Sequence, residues 1–297
     1  MRYCVNYNRT FRYLHEVDEI ILDYKGSNTI MSFIPELVKN KNQRIILNLD
    51  YEIIIKDIIP YINKLIKDGY NIALKIYKDQ YEDCKDINIP FFFNAFCHTL
   101  EEIYMQCKQG VSDIYIVEEL GFHIKDLQYF RQKYKVKFRI FPNIAQSINN
   151  TFINTIECFF VRPEDTEIYE PYIDTFELLG GEDESRLSVI YEIYKGEQWL
   201  GDLGDLILDF NERTPNKGIN PHFGEMRLNC GKKCLLNKCQ ICEQTSILAQ
   251  KFNEVGIEIV KKRKIEPKTE EQKQEIMNRL RRAEDGSGSD EETVHPE

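Results

Sequence analysis

The sequence predicts an α/β fold: a TIM-type (β/α)8-like barrel followed by a small helical subdomain that carries a Cys4 metal knot. Three observations lead there. Short apolar runs rich in Ile, Val, Phe and Tyr alternate with helical patterns at roughly 20-residue spacing. The alternation stops after Gly180-Gly181, and four of the nine cysteines fall between 230 and 242. The boundaries follow: a barrel over 1–181, a helical subdomain over 182–260, and a charged tail over 261–297.

The runs, in order, are 2–7, 19–24, 44–49, 71–77, 90–95, 113–119, 136–141, 157–162 and 173–179. Each is too short for a buried helix. Near-continuous apolar strands are what a parallel sheet covered on both faces requires. Between them, 27–43 opens on Ser/Asn caps, 50–69 ends at Gly69, and 94–113 carries Gly110 as a helix terminator. Right-handed βα units close a barrel at eight. Nine runs leave one surplus, either an added edge strand or not a strand. A doubly wound open sheet is the alternative, but no Gly-rich phosphate turn follows the first run. Beyond Gly181, 184–211 reads as two helices, 214–224 as a Pro/Gly/Asn loop and 243–255 as a helix.

Composition bounds the class. With 42% hydrophobic and 30% charged residues the chain can build a full core. The net charge is −10, of which the last fourteen residues, EDGSGSDEETVHPE, supply −6. The body is therefore only mildly acidic, which argues against broad nonspecific nucleic-acid binding but leaves room for a local basic groove. The N-terminus has no apolar signal region and no run approaches a membrane span, so the expected location is cytoplasmic, without membrane contact. In a reducing compartment clustered cysteines bind metal more often than they form disulfides.

The cluster reads C-x3-C-x4-C-x2-C: Cys230, Cys234, Cys239 and Cys242. Four thiolates complete a site for Zn²⁺ or an iron–sulfur cluster. Only Cys239/Cys242 has the paired spacing usual for zinc, and uneven spacing favours a 4Fe–4S cluster. Zn²⁺ is the alternative. Cys4, Cys97, Cys107 and Cys158 lie in apolar surroundings and read as core thiols.

The remaining candidates are polar residues at the C-terminal ends of the strands, where barrels place their active sites. They include Asn6, Asp23, Asn48, Lys75, Asn94, Glu118, Asn143, Gln146, Arg162, Glu164 and Asp165. Asp23 and Glu118 are acid/base candidates if buried. Arg162, with Glu164 beside it, is a candidate to hold a carboxylate or phosphate. Asn94, Asn143 and Gln146 are amide candidates for holding a cofactor.

The stretch from 110 to 165 resembles the middle of the peptidase U-32 (collagenase-like) family. The resemblance rests on GVSDIYIVEELG, on Gln146 and on VRPED, that is on Gly110, Val111, Asp113, Leu120, Gly121, Gln146, Arg162 and Glu164, with one residue interposed between the last two. It implies a TIM-type barrel and, as in several such proteins, a 4Fe–4S cluster on four cysteines with oxygen-independent hydroxylation of RNA bases or a quinone precursor. Others of the family are described as peptidases. The family's cysteines begin directly after the last barrel strand. Here that place reads FELLGGEDE, and the four cysteines come about fifty residues later.

Two functions follow as expectations. One is an iron–sulfur-dependent enzyme acting on a small molecule or an RNA base. The other is a binding or assembly protein in which zinc staples the C-terminal part, while KKRK (261–264) and the acidic tail engage a partner protein or nucleic acid. A zinc hydrolase is disfavoured, because a closed Cys4 site leaves no position for water.

Overall fold

The computed structural model describes residues 1–7, 9–117, 123–144, 160–181, 185–208 and 221–228, with Asn216, Ile219, Thr245 and Lys251 besides. The strands of the described residues are all parallel, and they form one nearly closed, barrel-like sheet. In chain order they are β1 (Arg2–Asn6), β2 (Glu19–Tyr24), β3 (Arg44–Leu49), β4 (Asn71–Ile76), β5 (Phe91–Phe93), β6 (Phe96–Cys97), β7 (Asp113–Ile116), β8 (Lys137–Ile140) and β9 (Thr175–Leu178). Their spatial order is β5-β4-β3-β2-β1-β9-β8-β7-β6.

The two edges of that sheet are the two halves of one bent run. Only Asn94 and Ala95 separate β5 from β6. The amide of Asn94 still donates to Ile76 (2.7 Å), while Ser112 donates to the Phe91 carbonyl (2.8 Å) and Val117 to that of Cys97 (3.2 Å). The run thus passes from β4 to β7 and brings the sheet round on itself, giving eight strand positions.

β8 and β9 pair directly, Arg139 against Thr175 and Ile140 against Phe176. Of the expected run at 157–162, residues 157–159 lie outside the described residues, and 160–162 lie outside the sheet, buried, with the Val161 amide donating to the Pro142 carbonyl (2.9 Å).

Helices α1 (Asn28–Leu37), α2 (Ile55–Lys67), α4 (Leu100–Lys108) and α5 (Ile124–Tyr134) fall between strands, with a short α3 (Tyr81–Cys84) after β4. The Ser27 side chain caps α1, and Thr99 with Glu102 forms a capping box on α4. Gly69 and Gly110 sit at φ +93° and +75°, the left-handed backbone that ends α2 and α4. After the short α6 (Thr166–Tyr169) and β9, α7 (Arg186–Lys195) returns along β1: the Tyr3 hydroxyl donates to the Tyr194 carbonyl at 2.9 Å. The second expected helix is reduced to α8 (Leu203–Leu206), and α9 (Phe223–Leu228) follows. The chain divides into compact units Met1–Asn253 and Glu254–Glu297.

The strands are not uniformly apolar. Register partners on parallel strands share a face, and one face carries Cys4, Glu19, Arg44, Lys75, Tyr115, Arg139 and Glu177. Hydrogen bonds from Arg44 to Asp113 and from Arg139 to Glu19 join strands that are not neighbours, so this face is the barrel interior. The other face, with Ile20, Leu22, Ile45, Leu47, Ile72, Leu74, Ile114 and Phe176, belongs to the apolar core. No helix among the described residues is long and apolar enough to cross a membrane.

Candidate active site at the C-terminal mouth of the barrel

Inside the barrel three carboxylates, Glu19, Asp113 and Glu177, meet three cations, Arg44, Lys75 and Arg139, all buried. Arg44 grips Asp113 with two bonds of 2.7 Å, and Ser112 donates to the same carboxylate at 2.7 Å. Arg139 is fully buried. It binds Glu19 closely, and Asp113 and Glu177 at 3.4 Å each. Its guanidinium lies 5.1 Å from the Phe92 ring centre and 5.4 Å from that of Tyr115. Burial alone would push the Asp113 carboxyl up, but the charge and hydrogen bonds of Arg44 hold it well below the usual carboxylate range. Unpaired, charges this deep would cost several kcal/mol each. Their balance makes the interior tolerable.

One turn of the pleat further along, the polar set changes character. Asp23, Asn48 and Lys75 are register partners near the C-terminal ends of β2, β3 and β4. Asp23 is exposed and accepts from the Asn48 amide at 2.7 Å. The Asn48 side-chain oxygen is buried without a partner. The Lys75 ammonium lies 3.7 Å from Glu177 Oε1 and 4.8 Å from the Tyr115 ring centre. Glu177 is held from behind, its Oε2 accepting from the Tyr115 hydroxyl and from Arg139. Half-buried Phe96 and Phe141 flank Tyr115, and Phe141 stacks on it at 3° and 5.5 Å. A cavity of about 340 Å³ opens beside the ends of β1 and β9, lined by Asn6, Tyr7, Leu179, Gly180, Gly181 and Leu208 among others.

Of the residues singled out from sequence, Asp23, Asn48 and Lys75 come together here. Asp23 is not buried, so the condition attached to an acid/base role is not met by burial. Asn94 is exposed at the bend between β5 and β6. Asn143 is fully buried and clasps the Leu179 backbone, donating to its carbonyl (2.7 Å) and accepting from its amide (3.0 Å). That makes it a stitch extending the β8–β9 pairing.

Arg162 and Glu164 are also bound within the chain. Arg162 forms a two-bond pair with Asp165 at 2.7 and 2.8 Å. Glu164 accepts from the Trp199 amide and the Asn216 side chain at 2.7 and 2.8 Å. Together they pin the segment after the barrel. A Cβ on Gly224 would fall 2.5 Å from Asp165 Cγ, so this glycine is required by close packing. Glu118, Gln146, Cys158 and the four cysteines at 230–242 lie outside the described residues.

Cys4, Cys84, Cys97 and Cys107 are free and buried. Burial pushes the thiols up, Cys107 to about 11 and Cys84 and Cys97 to about 12. They are protonated core residues, and among the described residues no group of three or more His, Cys, Asp or Glu side chains is placed to hold a metal. Sequence reading missed Glu19, Arg44, Arg139 and Glu177, although each is a charged residue within an otherwise largely apolar strand.

What fold and mouth define is a class, a parallel α/β barrel with a charge-balanced interior and a polar C-terminal mouth. No family model matches the chain, and no curated protein matches it. Among solved structures it is similar to a cube-shaped, highly porous protein cage designed by fusing symmetric oligomeric domains. The identity is 9% and the TM-score 0.38, over 98% of this chain and 95% of that one. A likeness that slight carries nothing about fold or function.

Proposed function

We propose that the chain is a U-32-like barrel enzyme whose reaction takes place at the C-terminal mouth, on a polar substrate, either a small molecule or an RNA base. The observation that carries the reading is the alignment of Asp23, Asn48 and Lys75 on consecutive strands, above an interior whose other charges are tightly paired. An unpartnered acceptor on Asn48 and a cation without close hydrogen bonds are groups that a polar ligand completes. Barrel enzymes place their chemistry at this end.

The donor chemistry of Cys230, Cys234, Cys239 and Cys242 fits a 4Fe–4S cluster, with Zn²⁺ as the other occupant. When bound, a cluster would supply one-electron chemistry to the reaction. Anaerobic purification with iron, sulfide and zinc quantified on the same sample tests this. The expected result is a brown protein with about four irons per chain, lost on Cys234→Ala. A colourless protein with stoichiometric zinc overturns the redox reading and leaves a zinc-stapled binding protein. The mouth is tested separately by a thermal-shift screen of polar metabolites. A true ligand stabilises the wild type and not Lys75→Met, whereas equal stabilisation of both places the ligand elsewhere.

A further inference from the structure

We propose that Lys75 is an imine-forming lysine, and that the substrate class of the mouth is a small polar aldehyde or ketone. This rests on the mouth being the reaction site, as argued above.

Lys75 differs from the other five charges inside the barrel. Each of those takes part in hydrogen bonds of 3.4 Å or closer. The Lys75 ammonium has an ion pair at 3.7 Å, beyond hydrogen-bond distance, and the face of Tyr115. No hydrogen bond from it is found among the described residues. Only 7% of the residue is exposed, so few water molecules reach it. Setting an ammonium here with no hydrogen bond to the described residues gains little for packing that a methionine of similar volume would not supply.

The surroundings supply what amine attack needs. Glu177 Oε1 faces Lys75, while Oε2 is fixed by the Tyr115 hydroxyl and by Arg139, so the proton acceptor is held in place. The rings of Tyr115 and Phe92 provide an apolar wall, and Phe92 is the register partner of Lys75. Low water content favours loss of water from a carbinolamine. Asn48 and the exposed Asp23 sit beside the lysine on the mouth side, where the rest of a polar substrate lies.

The step balances without a redox partner. The ammonium passes one proton to Glu177 Oε1. The freed lone pair forms the C–N bond as the carbonyl π pair moves to oxygen, which takes that proton back from Glu177. The nitrogen then releases a second proton to the same, now free, carboxylate. Glu177 returns this proton to the carbinolamine hydroxyl, which leaves as water as the nitrogen lone pair closes the C=N bond, and the carboxylate ends as it began. The net change is carbonyl plus ammonium to protonated imine plus water.

The full chain is incubated with glyoxylate and cyanoborohydride, digested, and read by mass spectrometry at every lysine. The expected result is carboxymethylation of Lys75 roughly a hundred-fold faster than the mean of the exposed lysines, the lower end of what a positioned acid–base group contributes. Glu177→Gln, if folded by circular dichroism, removes most of that advantage. Labelling of exposed lysines with Lys75 no faster overturns the proposal. A parallel sample treated with acetic anhydride separates two kinds of failure. Lys75 acetylated but not reductively labelled means that the mouth is open and the imine is wrong. Lys75 untouched by both reagents means that the mouth is closed, and the site reading falls with it.

Discussion

The two ends of the barrel interior use the same residue types for opposite purposes. Glu19, Arg44 and Asp113 open their strands, and with Arg139 of β8 they are buried and joined by short bonds that cross the barrel. Toward the C-terminal ends, Asp23 faces solvent, Asn48 keeps an unpaired oxygen, and Lys75 is held at 3.7 Å. A charge held by several hydrogen bonds within the protein is scaffolding, since breaking it strands its partners; Arg139 leaves only its Nε without one. A charge with no hydrogen bond among the described residues, like Lys75, is available to a ligand. Charge content alone does not mark a site; how closely each charge is held does.

Breaking the tight end should cost most. Arg139→Met leaves Glu19, Asp113 and Glu177 short of a cation, and urea unfolding should show a loss of about 3–5 kcal/mol. Asp113→Asn leaves Arg44 underpaired and should cost about 3 kcal/mol near neutral pH. The folded-state carboxyl of Asp113 lies below the ordinary value of about 3.9 that it takes when unfolded. Its contribution is therefore complete above that value and is lost as pH falls through the depressed one. The gap between wild type and Asp113→Asn should narrow on acidification below about pH 4. A gap that widens would contradict the pairing with Arg44.

Outside the barrel, Gly224→Ala forces a methyl group onto Asp165 and should cost about 1–3 kcal/mol by the same measurement. Lys75→Met should be the mildest of the buried changes, within about 1 kcal/mol of the wild type in either direction, because Glu177 keeps Tyr115 and Arg139. A loss as large as that of Arg139→Met would mean that the loose lysine is structural after all.

Much of the barrel was legible because strand–helix alternation and glycine terminators are local signals. Gly69 and Gly110 ended their helices as read. The split of one run at Asn94-Ala95 was not legible, since it follows from closing the sheet between β4 and β7. The end of the run at 157–162 looked like a strand because burial, rather than pairing, set its composition: Phe160 and Val161 are buried without a place in the sheet. The interior network was half visible. Glu19, Arg44, Asp113, Arg139 and Glu177 all occupy inward positions of the period-two pattern, but short strands dominated by outward Ile, Leu and Phe read as continuously apolar. Which charge meets which depends on partners as far apart as Glu19 and Arg139, and no local pattern encodes that. At the mouth, Asp23, Asn48 and Lys75 were found because strand ends are where polar residues are sought. Arg162 and Glu164 were found by the same rule, and are engaged by Asp165, Trp199 and Asn216.

The paired end holds the barrel and the open end is free for a ligand. Urea unfolding of Arg139→Met and Asp23→Asn side by side separates the two roles. The expected result is a loss of about 3–5 kcal/mol for the first and a change within about 0.5 kcal/mol for the second. Equal losses would contradict it, because the mouth would then be as much a part of the scaffold as the network beneath it.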